Sequence, residues 1–137
     1  MTVTLRTGTT ADTAAVLDLW QAAGAHPTST DDPAALAALV DRDPDALLIA
    51  ESEGRVVGTL IATWDGWRGS MYRLAVRPDV RRRGIAALLV RRGEERLLSL
   101  GCRRVQALVV GADDRACAFW TGVDYVPDSL RRYVHSL

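Results

Sequence analysis

A mixed sheet with helices on both faces, an α/β domain, is what the patterning of this chain predicts, and three observations carry that expectation. Short β-rich runs, the first of them alternating with period two, are interleaved with amphipathic runs of period 3.6. Two of the β-rich runs are separated only by Glu53-Gly54, which leaves room for a tight hairpin turn. A third run passes through a basic turn into a long helix and on to another β-rich run, a strand-helix-strand crossover. The order read along the chain is β-α-α-β-β-β-α-β-α-β, in one domain over residues 1–137.

Taken in order, Val3 to Arg6 alternates as a strand, and Thr9, Thr10 and Asp12 supply helix-start chemistry. Thr13, Val16, Leu17 and Trp20 then share a helical face, and Gly24 ends that helix. His26 to Pro33 reads as a loop, whose Asp32-Pro33 pair caps and opens a second helix through Val40. Ala46 to Ser52 and Arg55 to Trp64 form the hairpin, and Asp65 to Gly69 turns into a strand from Met71 to Val76. From Gly84, the residues Ile85, Leu88, Leu89, Gly93, Leu97 and Leu100 mark the apolar face of a long helix that stops at Gly101. Arg103 to Val110 reads as a strand, Asp113 to Trp120 as a short helix, and Arg131 to Ser136 as a final strand.

The 137 residues are 48% apolar, enough for one hydrophobic core. The longest apolar run, Ile85 to Val90, is too short to cross a bilayer and Met1 begins no hydrophobic leader, so a soluble, cytoplasmic protein without a membrane partner is expected. Cys102 and Cys117 read as buried thiols, and neither His26 nor His135 has a neighbour at ligand spacing, so no metal site is expected. The net charge of zero conceals an asymmetry. Residues 1–67 hold 3 arginines against 10 acids, whereas residues 68–104 hold 11 against 3. That split suggests a polyanion on one side and a cation on the other.

Arg81, Arg82 and Arg83 run straight into Gly84 and an apolar helix. The first amides of a helix are unsatisfied by the helix itself, and its dipole favours an anion there. Gly84 and Ala86 leave room for close approach to the backbone, Ile85 and Leu88 anchor the turn, and the arginines complete a charged rim. The block therefore reads as a pyrophosphate cradle. A solvated basic loop, or one that contacts nucleic acid, is the alternative. The acidic segments around the basic block argue against nucleic acid, so no such partner is expected.

The pattern Arg81-x-x-Gly84-x-Ala86, after Leu74-Ala75-Val76 and an Arg77-Pro78-Asp79 turn, resembles the acyl-CoA signature of the GNAT N-acetyltransferase superfamily. The resemblance runs from about Arg55 to Val126 and includes Asp113-x-x-Ala116-x-x-Phe119-Trp120. It implies a mostly antiparallel, twisted sheet of six or seven strands. It also implies acetyl-CoA as co-substrate and transfer of the acetyl group to a primary amine by direct attack in a ternary complex. Leu74, Ala75 and Val76 would offer backbone groups to the pantetheine arm, with Asp113 and Phe119 as further cofactor contacts, Phe119 and Trp120 reading otherwise as packing residues. Arg81, Arg82, Arg83, Gly84, Ile85, Ala86 and Ala87 would surround the pyrophosphate.

For the chemistry, the amide of Val76 is the expected oxyanion donor. Glu51, Asp113, Asp114 or a water chain are the candidate bases, and Tyr125, Tyr72 and Tyr133 the candidate acids. The chain departs from the family pattern where Asp113 replaces an Asn and Trp120 replaces the usual Tyr, and an indole cannot act as an acid near neutral pH. A non-catalytic acyl-CoA-binding or sensing domain is therefore the alternative reading. The acceptor side implied by the family is Trp20, His26, Ser29, Thr30, Asp31, Asp32, Trp64, Asp65, Trp67 and Tyr72, acids and aromatics that suit a cationic amine, small or on a peptide or protein. The alternative is that the aspartates cap a helix, Trp20 is core, and the tryptophans serve a homodimer interface.

Overall fold

The alternation of Leu47 and Ile49 with Leu48 and Ala50 decides how the layers assemble. In the computed structural model, which describes residues 1–137, strand β2 (Leu47–Ser52) is covered on both faces. Leu47 and Ile49 join one apolar cluster with Val16, Leu19, Leu36 and Val40. Leu48 and Ala50 join the other, with Ile85, Leu89 and Leu97. A strand buried on both sides must be apolar at successive positions, which is why this run shows little polar alternation.

Five strands form one sheet in the order β1-β2-β3-β4-β5. They are β1 (Thr4–Thr7), β2, β3 (Arg55–Trp64), β4 (Gly69–Val76) and β5 (Val105–Ala107). The first three pairings are antiparallel, and β4 with β5 is parallel. Helices α1 (Thr13–Ala22) and α2 (Pro33–Arg42) pack on one face, and α3 (Ile85–Ser99) and α4 (Asp114–Gly122) on the other. None of the helices is long and apolar enough to span a membrane.

Local chemistry sets the boundaries. Glu53 and Gly54 both adopt positive φ, 54° and 73°, as a two-residue hairpin turn of the mirror-image type requires. Asp32 accepts the Ala35 amide at 2.7 Å and so starts α2, with Pro33 at its first position. The close seat of α3 depends on Gly93. A Cβ there would lie 3.0 Å from Met71 Cε and 3.1 Å from Leu60 Cδ2.

The expectation of six or seven strands needs correction, because residues Arg131–Ser136 form no strand. That segment pairs with no strand of the sheet; Leu130, Tyr133 and Val134 stay exposed, and Ser136 Oγ comes within 3.4 Å of Ser29 Oγ. The strand expected from Arg103 to Val110 keeps only Val105–Ala107, since beyond Leu108, whose amide bonds Met71, the chain leaves β4. On α3 the buried stripe is Ile85, Leu89, Val90, Gly93 and Leu97; Leu88 and Leu100 face solvent. A ladder of steps of four, drifting around the helix, fits the sheet better than the expected mixture of steps of three and four. Cys117 is also only partly buried, unlike Cys102.

One buried hydrogen-bond chain links the layers. The Trp20 indole N–H donates to Thr59 Oγ1 at 2.9 Å, and the Thr59 hydroxyl donates to the carbonyl of Arg73 at 3.0 Å. Arg73 sits in a β-bulge where Thr59 pairs with Ala75 but Ile61 pairs with Tyr72, which leaves one extra residue in β4. Its φ is 53°, left-handed for a non-glycine residue. Replacing Thr59 with Val keeps the shape but leaves an indole N–H and a carbonyl without their partner. We expect a loss of about 2 kcal/mol, read as a lower denaturant midpoint with an unchanged slope, and a smaller loss for Thr59→Ser.

Candidate active site

The parallel pairing of β4 with β5 covers only Gly69, Ser70 and Met71. From Tyr72 to Val76, β4 keeps β3 on one side and has no strand on the other. The Arg77 amide donates to Val57 O at 2.9 Å, so by period-two alternation the Val76 amide points away from β3, toward the open edge. An extended chain could add here as a further strand.

Immediately after β4, a 3-10 turn (Pro78–Val80) leads through the arginines to α3. The N-cap residue is Gly84, at φ 78° and ψ 8°, and no side chain caps this helix. That contrasts with α2 and α4, which are capped by the carboxylates of Asp32 and Asp113. The amides of Ile85, Ala86 and Ala87 make no hydrogen bond within the chain. A Cβ built on Gly84 would meet nothing within 4 Å. Open space in front of unpaired amides, at the positive end of a 15-residue helix, fits a phosphate group. Arg82, at φ 64°, and Arg83 are exposed beside it.

Arg81 is placed differently from its neighbours. Its Nε donates to Val76 O at 3.2 Å, and one terminal nitrogen donates to Ala23 O at 3.4 Å. It braces the turn against the end of α1. Burial holds its pKa below the ordinary arginine value, and the nearby Arg115 acts in the same direction while Asp113 opposes both. Arg115 carries no sequence motif; its one legible feature is its place in the first turn of a helix capped by Asp113.

The candidate acids and bases are scattered rather than gathered. Glu51 Oε2 accepts Arg6 Nε at 2.8 Å, in a network where Arg6 also binds both oxygens of Asp12. Hydrogen bonding from Arg6 holds the Asp12 carboxyl down to about 2. Glu51 lies on β2, two strands from β4 and thus about 10 Å away across the sheet. Asp113 Oδ1 accepts the Ala116 amide at 3.0 Å as the α4 cap, and Asp114 is exposed in the first turn. The Tyr125 hydroxyl donates to Glu94 Oε2 at 2.8 Å, and burial, reinforced by Glu94, pushes its pKa well above the ordinary phenol. Tyr133 is 91% exposed in the C-terminal segment. Trp120 is buried, edge-on to Tyr125 at 4.8 Å and to Phe119 at 5.5 Å, and its indole N–H has no partner in the chain.

The acceptor candidates divide into two places. Trp20, His26 and Asp31 meet around Arg73, whereas Trp64 and Trp67 line a cavity of about 550 Å³ with Arg68 and Arg103 at the start of β4. Asp65 in that turn accepts the Trp67 and Arg68 amides, both at 2.8 Å. Tyr72 is moderately exposed on β4.

Known proteins resemble this chain in both sequence and fold. The family model described as acetyltransferase (GNAT) family matches residues 13–123. An acetyltransferase of Sodalis glossinidius is 34% identical over 80% of this chain and 78% of its own length. Another, of Photorhabdus laumondii, is 38% identical over 76% of this chain and 72% of its own. Among solved structures, the paia N-acetyltransferase of Thermoplasma acidophilum, in complex with coenzyme A, superposes with a TM-score of 0.83. That match covers 96% of this chain and 94% of the other, at 11% identity, so the likeness is one of fold.

Binding at the uncapped helix should depend on Gly84 more than on any single arginine. Gly84→Glu is expected to abolish acetyl-CoA binding, because a carboxylate would occupy the space of the anion. Arg81→Ala should weaken binding modestly, through loss of the brace. Calorimetry reads both, and an unchanged affinity in Gly84→Glu would rule out the cradle.

Proposed function

Because the chain belongs to the acetyltransferase (GNAT) family, we propose that it moves an acetyl group from acetyl-CoA to a primary amine by direct attack in a ternary complex. It is an acyltransferase with acetyl-CoA as co-substrate. The observation that carries the mechanistic reading is the uncapped N-terminus of α3 beside the unpaired edge of β4.

The amides from Gly84 to Ala87, with Arg82 and Arg83 as rim, would hold the pyrophosphate, and the edge from Leu74 to Val76 would pair with the pantetheine arm. Acetyl-CoA supplies an activated thioester. The amide of Val76, facing the open edge, would donate to the acyl carbonyl oxygen and polarise it. Holding a neutral amine at contact distance from the acyl carbon supplies much of the remaining acceleration.

Proton handling in this reading falls to solvent. Glu51 is paired with Arg6, Asp113 caps α4 and Tyr125 is bonded to Glu94. An ordinary thiol has a pKa near 8.5, so a thiolate can leave near neutral pH without a dedicated acid. The Trp120 N–H, which has no partner, can donate a hydrogen bond but not a proton. A sensing domain of the same fold is not favoured, since the similar proteins are themselves called acetyltransferases.

Release of CoA thiol during incubation with acetyl-CoA and a panel of amines tests the reading; binding of acetyl-CoA with no release for any amine would favour the sensing alternative. For Trp120→Phe we expect lower stability or slower turnover, but no ionisation lost from the pH profile of kcat. A basic limb that disappeared only in this variant would show that Trp120 takes part in proton transfer after all.

A further inference from the structure

The acids between α1 and α2, which as a group suggest attraction of a cation, are engaged within the chain. Asp32 caps α2. Asp31 Oδ2 accepts the Thr28 amide at 2.9 Å and is ion-paired with the guanidinium of Arg73. The nitrogen of Arg73 that reaches Asp31 also donates to His26 O at 3.0 Å, and the guanidinium lies over the Trp20 ring at 5.3 Å from its centroid. A residue held at positive φ by contacts to a loop, a helix and a carboxylate has one fixed direction.

That pair keeps free valences. Nε and the second terminal nitrogen of Arg73 donate to nothing in the chain, and Asp31 Oδ1 accepts from nothing. None of these atoms is sealed off, because the one buried side-chain polar atom lacking a partner is Ser52 Oγ. Side-chain exposure is 22% for Arg73 and 13% for Asp31, low enough for their charges to be weakly screened. The site therefore offers a fixed positive group with open donors next to a fixed negative group with an open acceptor. It lies on the strand that carries the Val76 amide, three residues and about 10 Å of extended chain away.

A ligand that complements such a pair carries both charges itself. We propose that the acceptor is a small zwitterionic amino acid, its carboxylate bound by the free donors of Arg73 and its ammonium directed to Asp31 Oδ1. This rests on the acetyl-transfer reading and names its substrate class. A purely cationic amine would meet the guanidinium unfavourably, whereas a carboxylate turns that same charge into two charge-assisted hydrogen bonds. In the reaction, the ammonium first loses a proton to water, which releases the nitrogen from Asp31 to turn toward the thioester while the carboxylate stays on Arg73. The nitrogen then forms its bond to the acyl carbon, the carbon–sulfur bond breaks with its electron pair on sulfur, and the second nitrogen proton passes to solvent.

The test compares amino acids, amine at the α position or on the side chain, with their decarboxylated counterparts at saturating acetyl-CoA. Wild type should favour the carboxylated member of a pair by at least about tenfold in kcat/KM. Arg73→Gln should bring that ratio near one, and Arg73→Lys, which keeps the charge but loses the fork, should fall between. A merely structural latch would slow both members alike and leave the ratio intact, and that result overturns the proposal. So does equal use of decarboxylated amines by wild type, a comparison that needs no variant to fold. Should no amine be turned over, acetyl transfer itself fails, and the same compounds are titrated calorimetrically into the CoA-saturated protein. Selective binding of the carboxylated members, lost in Arg73→Gln, would support the site independently; no such selectivity would overturn it.

Discussion

Strand β4 has one edge fully paired and the other paired for three residues only, and most of the molecule follows from that inequality. The paired edge fixes where its amides point. The unpaired edge exposes them in a region otherwise backed by core on both faces. Backbone groups in such a setting demand a partner. A chain that leaves part of a central strand without a neighbour, while α3 crosses over and returns through β5, keeps an edge to which an extended ligand could add.

The same logic separates three of the four helix starts, since α1 follows directly on a 3-10 turn (Thr10–Asp12) that Thr9 caps. Two receive an aspartate and are thereby closed to an outside anion. The third receives a glycine at positive φ, with three amides left open and two exposed arginines beside them. Arg81 shows that a run of like charges is not one functional unit. It turns inward to the Val76 and Ala23 carbonyls, where it joins the cradle to the strand and to the end of α1. Position, not charge count, decides which guanidinium stays free to meet a ligand.

Much of this could be read from residue order. The Glu53-Gly54 turn, the Asp32-Pro33 cap and the strand-turn-helix around Gly84 are local chemistry, and local chemistry is written in adjacent residues. The short extent of β5 and the strandless run to Ser136 were not legible, because a strand needs a neighbour as well as a favourable pattern, and pairing is decided by the whole sheet. The apolar stripe of α3 was misplaced at Leu88 and Leu100 for a related reason: the helix settles where Gly93 allows close approach to Met71 and Leu60. Arg73 carried no signal at all, and Arg115 none beyond its place in the first turn of a helix capped by Asp113. The importance of Arg73 arises from a bulge and from a carboxylate 42 residues away in the chain.

The charge asymmetry illustrates how such long-range pairing alters a reading made from composition. Ten acids against three arginines in residues 1–67 suggest a surface that gathers cations. In the folded chain, Asp12 and Glu51 are held by Arg6, Asp43 by Arg96, Asp31 by Arg73 and Asp18 by Arg77, three of these four arginines coming from the basic middle segment. Three of the ten acids are thus tied to the basic block, and two more are held by Arg6 within their own segment, so the two blocks do not simply present opposite charges to solvent. What pairing leaves open is a smaller set of valences, and beside the loop between α1 and α2 that set includes donors of Arg73 as well as an oxygen of Asp31. For a zwitterionic ligand, specificity there would be a matter of matching two fixed charges at once, a stricter demand than attraction by a net potential.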